Sequence, residues 1–82
     1  MNKKITVKTP NGAVRYCVLD GNASFSEQLK RDVFSISNDY TVEYCKDKIE
    51  VLDVYHQETI AVFEVLSVED CEMNVTHKWV HI

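Results

Sequence analysis

The chain has 82 residues, 45% of them hydrophobic and 27% charged, with a formal net charge of -4. That length supports one modest core, and the two Gly and one Pro argue against disordered tails or linkers, so a single domain spanning residues 1–82 is expected. The longest apolar run, Ile60-Ala61-Val62-Phe63, is far short of the roughly 18 residues of a membrane helix, which excludes a helical span.

Lys8 and Pro10 interrupt any apolar segment behind Lys3-Lys4, so the chain reads as uncleaved, soluble and cytoplasmic, with no membrane partner. Cys17, Cys45 and Cys71 are odd in number and widely spaced, which fits reduced thiols and no disulfide framework. Charge is polarised along the chain. Residues 1–19 hold Lys3, Lys4, Lys8 and Arg15 with no acid, whereas residues 39–72 hold ten acids against Lys46 and Lys48. The basic and acidic strands could neutralise one another as neighbours, or the acids could face a basic partner.

Asn11-Gly12 is the strongest hairpin signal, since a two-residue type I′ turn needs positive φ at both central positions. Centred there, the turn pairs Thr9 with Val14, Val7 with Tyr16 and Ile5 with Val18 on one apolar face. Lys8 with Arg15, Thr6 with Cys17 and Lys4 with Leu19 then form the polar face. Next, Ser24-Phe25-Ser26-Glu27 reads as a capping box, and Phe25, Leu29, Val33 and Ile36 make one helical stripe ending near Asn38-Asp39.

From Tyr40 the hydrophobic period changes to two, predicting strands at 40–45, 48–55 and 59–66. Short loops pair Tyr44 with Ile49 and Val42 with Val51, then Val51 with Phe63 and Ile49 with Val65, giving an apolar face for the helix. On the reverse face, Leu52 with Val62 and Val54 with Ile60 form an apolar patch that one helix cannot also cover. Ser67 to Met73 reads as a short helical turn and 74–82 as a last strand, with Val75, His77, Trp79 and His81 on one side.

The expected fold is α+β, one helix packed on one face of a mostly antiparallel sheet in the order ββαβββ(β). Residues 5–36 resemble the hairpin-plus-helix opening of ubiquitin-like, β-grasp proteins. That resemblance is topological and implies no function.

Chemical motifs are sparse. His77 and His81 sit about 13 Å apart on a strand, too far to share a zinc ion, so no metal site is expected. Cys45 and Cys71 lie in acidic stretches that oppose thiolate formation, and no nucleophile elbow, phosphate loop or dinucleotide fingerprint is present; the chain reads as a non-enzyme without cofactor. Tyr40, Tyr44 and Tyr55 fall among acids that repel phosphate, which argues against nucleic acid, and Tyr16 and Tyr44 are assigned to the core.

What remains is a protein-binding module. In size and acidic character it resembles small stand-alone inhibitors, such as phage-encoded anti-defence and toxin-immunity proteins. Leu52, Val54, Ile60 and Val62 are the candidate anchors, ringed by Glu43, Glu50 and Glu64, for a basic protein surface or a second copy in a homodimer. The alternative is a homo-oligomer that sequesters a small anion with Lys4, Lys8 and Arg15.

Overall fold

A computed structural model describes every residue from Met1 to Ile82. Strands β1 (Asn2–Lys8), β2 (Val14–Asp20), β3 (Tyr40–Tyr44), β4 (Lys48–Asp53), β5 (Glu58–Cys71) and β6 (Val80–His81) form one sheet in the order β3-β4-β5-β1-β2-β6. All five pairings are antiparallel. Helix α1 (Phe25–Gln28) runs on into a π-helical segment (Leu29–Val33), so the chain is α+β with a single helix against the sheet.

The first hairpin turns differently from the Asn11-Gly12 expectation. Pro10 presets the negative φ of the second position of a type I turn over residues 9–12, closed by the Gly12 N–H to the Thr9 carbonyl at 2.9 Å. Gly12 follows at φ +88°, and the Thr9 N–H reaches the Ala13 carbonyl at 2.7 Å, making a three-residue loop. The extra loop residue moves the register by one. Ile5 faces Cys17, Val7 faces Arg15 and Thr6 faces Tyr16. Cys17 and Leu19 are therefore the inward residues of β2, and Tyr16 and Val18 lie on the reverse face, where Val18 is buried.

Half of the expected capping box forms: Ser24 Oγ accepts the Glu27 N–H at 3.3 Å, but the Glu27 carboxylate does not return a bond to the Ser24 N–H. Leu29 is fully buried, and Phe25, Val33 and Ile36 pack against the core. The helix ends at Val33, before Asn38-Asp39, and Ser35 takes a positive φ of 52°. The wider π turn, marked by the Phe34 N–H donating to the Leu29 carbonyl at 2.8 Å, swings Phe34 towards the core as a fifth apolar side chain.

Strand β5 is the axis of the sheet. Its first half, through Glu64, pairs with β4, and its second half, from Glu64 to Cys71, pairs with β1. The short helix expected at Ser67 to Met73 is absent because β1, a central strand, takes that segment as its second neighbour, and ladder pairing outweighs a local capping preference. Only Val80 and His81 of the expected last strand pair, with Tyr16 and Arg15 of β2. Eight buried residues, Ile5, Val7, Cys17, Leu19, Leu29, Val42, Ile49 and Val51, make the core. Trp79 closes it, stacked on Phe63 at 5.6 Å and edge-on to Phe34 at 5.7 Å.

Candidate partner-binding face

Registers decide which residues share the bare face. The β3–β4 pairing is as expected, with Tyr44 opposite Ile49 and Val42 opposite Val51. The β4–β5 pairing is shifted: Ile49 faces Phe63 and Val51 faces Ala61. Strand β4 stops at Asp53 because its carboxylate accepts the N–H groups of Tyr55 and His56, at 3.0 and 3.2 Å, and closes a turn in which Gln57 has φ 54°. Hydrogen bonding to His56 also lowers the Asp53 pKa from its usual value. A bulge between Val51 and Leu52 then sets Leu52 opposite Thr59. The expected pairs Leu52–Val62 and Val54–Ile60 therefore do not form.

Despite the changed register, the apolar residues stay exposed on the side away from the helix. Ile60 is 54% accessible, Val62 44% and Leu66 49%, while Leu52 is half-buried beside them. Val54, at 46%, sits in the β4–β5 turn with its N–H held by the Asp39 carbonyl, at the end of this face. Leu66 was missed by the sequence reading, although the period of two running through Ile60, Val62 and Glu64 leads to it. Residues 74–82 do not cover the patch, since they pair with β2 at the opposite edge from β3.

The acids are unevenly balanced. Glu43 lies directly opposite Glu50, which in turn faces Val62. Lys48 reaches Glu50 at 3.3 Å and leaves Glu43 without a partner. Glu64 stands between Lys48 and Lys8.

The three cations of the anion alternative do not converge. Lys8 faces Glu64, and Lys4 faces Glu69 while its ammonium lies 4.7 Å from the Tyr16 ring centre. The one-residue shift puts Arg15 on the other side of the sheet, opposite Val7, where it donates to the Val14 carbonyl at 2.8 Å.

All three cysteines are free: Cys17 buried, Cys45 exposed, Cys71 half-buried. Burial pushes the Cys17 thiol up to about 12. No three His, Cys, Asp or Glu side chains gather to hold a metal ion, and no helix is long and apolar enough to cross a membrane. His77 lies 3.9 Å from the Asp32 carboxylate, whose pKa is lowered by hydrogen bonds from Arg31. Comparison with protein-family models, with curated proteins and with solved structures finds no match to this chain.

Proposed function

We propose that the protein is a small non-enzymatic binding module, acting in the cytoplasm as a stand-alone inhibitor or modulator that occludes a basic surface of a larger protein. The observation that carries this reading is the row Ile60, Val62 and Leu66, exposed together along β5 on a sheet face that the only helix does not cover. The directly opposed Glu43 and Glu50 add to it: like charges held across neighbouring strands are unfavourable in the free protein and are relieved by a cationic partner. In this mechanism the aliphatic side chains supply desolvated anchors, and the glutamates steer and orient the encounter.

Val62→Lys tests the reading, because Val62 is exposed and faces Glu50, so the fold tolerates the change. Wild-type protein is expected to capture a stoichiometric partner from its native cells, and the variant to fold normally and lose it. A partner retained by Val62→Lys would refute this face as the contact. A wild-type homodimer that Val62→Lys converts to a monomer would replace the inhibitor by self-association.

A further inference from the structure

We propose that the second half of β5, residues 66–71, is an open strand edge that takes an extended basic segment of a partner protein. This edge is distinct from the bare face and does not require the face to be occupied.

Backbone hydrogen bonds define this edge. On the β4 side of β5 the last bond is the Val65 N–H to the Asp47 carbonyl at 3.0 Å, while β1 continues on the other side to Cys71. Beyond Val65, no backbone or side-chain group bonds the β4-side edge of residues 66–71. Such an edge presents alternating donors and acceptors to any extended chain.

The other edges are less suited. On β3, the Tyr44 N–H is taken by Ser26 Oγ at 3.1 Å. Strand β6 has two residues, and the free stretch of β5 opposite β4 carries the bulge at Ile60.

Side chains give the edge its chemistry. A second bulge, where Thr6 faces Ser67 and Val7 faces Val65, puts Leu66 on the bare face while Val68 faces Ile5 on the helix side. Both are exposed, so an incoming strand meets an aliphatic group on each face. Asp47 lies at one end and Glu69, Asp70 and Glu72 at the other. Lys4 opposes Glu69 and Lys3 binds Asp70, leaving Asp47 and Glu72 without ion-pair partners. The segment that fits is therefore extended, with Lys or Arg alternating with aliphatic residues.

The probe is a capped peptide of alternating Lys and Val, seven residues or about that long, added to the full chain with amide hydrogen exchange read residue by residue. The expected result is exchange slowed about tenfold at amides within 66–71, lost when Lys is replaced by Glu or when alternate peptide nitrogens are methylated. The variant carrying Leu66→Lys and Val68→Lys should lose the protection, whereas Val62→Lys should keep it. The proposal is overturned if these amides gain no protection, if the methylated peptide protects them equally, or if Val62→Lys abolishes the effect, since the face would then be the site.

Discussion

Gln28 and Asp20 share a two-way hydrogen bond: the Asp20 N–H donates to Gln28 Oε1 at 2.8 Å, and Gln28 Nε2 donates back to the Asp20 carbonyl at 2.9 Å. Nε2 also reaches the Ala23 and Ser24 carbonyls, each at 3.3 Å. A buried side chain on the helix thus imitates a neighbouring strand at the end of β2. With Ser26 holding Tyr44 on β3, one short helix grips strands four places apart in the sheet, which must curl around it. Gln28→Leu leaves the half-buried Asp20 N–H without its partner, while the Asp20 and Ser24 carbonyls keep the Ala23 and Gln28 N–H groups, so a loss of about 1–3 kcal/mol is expected. A denaturant midpoint that hardly moves would mean that water replaces these bonds.

Gly12 tests the hairpin. No atom lies near the position of an added Cβ, so Gly12→Ala isolates the cost of a positive φ, about 1–2 kcal/mol. Asn at the same position should cost less, since Asn tolerates left-handed backbone. Equal stability of all three forms in urea would contradict the turn, and with it the inward placement of Cys17 and Leu19.

Trp79 separates packing from hydrogen bonding, because its Nε1 is buried without a partner. Trp79→Ala should cost about 3 kcal/mol through lost contact with Phe63 and Phe34. Trp79→Phe should cost about 1 kcal/mol or less, since no hydrogen bond is forfeited. Circular dichroism is the appropriate probe, as Trp79 is the only tryptophan. Equal losses in the two variants would show that a phenyl ring recovers none of the packing of the indole on Phe63 and Phe34.

Cys17 predicts a pH dependence. Its thiol is raised from 9.0 to about 12 by burial, so between these values the unfolded chain releases a proton that the folded chain keeps. Stability then falls as pH rises through that window, by up to about 1.4 kcal/mol per pH unit from this group. Cys17→Ala should flatten the slope. In native protein at neutral pH, a thiol reagent should modify Cys45 and Cys71 and spare Cys17 until denaturant is added.

The elements were legible where local chemistry and period agreed, as at the Ser24 cap, the Leu29 stripe and the Tyr44–Ile49 pairing. The first hairpin register was not, because Tyr16-Cys17-Val18-Leu19 is apolar throughout and offers no alternation to choose a face; only Pro10 distinguished the turns. The two bulges in β5 were invisible for a related reason. An extra residue is absorbed by strand pairing across the sheet, and nothing local to Ile60 or Leu66 marks it. Of the candidate face, Val54, Ile60 and Val62 are exposed in the observed register and Leu52 is half-buried, but the basic trio did not stay together, because Arg15 changes sides with a one-residue slip.

Glu43 and Glu50 give the last prediction, in which stability and binding move in opposite directions. Their side chains stand directly across from one another on β3 and β4, and only Glu50 has a lysine within reach. Glu43→Gln removes the repulsion and should stabilise the free protein by about 0.2–1 kcal/mol at low salt. Raising the ionic strength should stabilise the wild type and leave the variant nearly unchanged, because screening acts on the same pair. If this acidic pair is kept for a basic partner, Glu43→Gln must also slow association and weaken its salt dependence while leaving dissociation almost untouched, as expected of a steering charge. A variant that is more stable yet binds at the wild-type rate would leave the aliphatic row as the whole of the recognition and remove the acids from it.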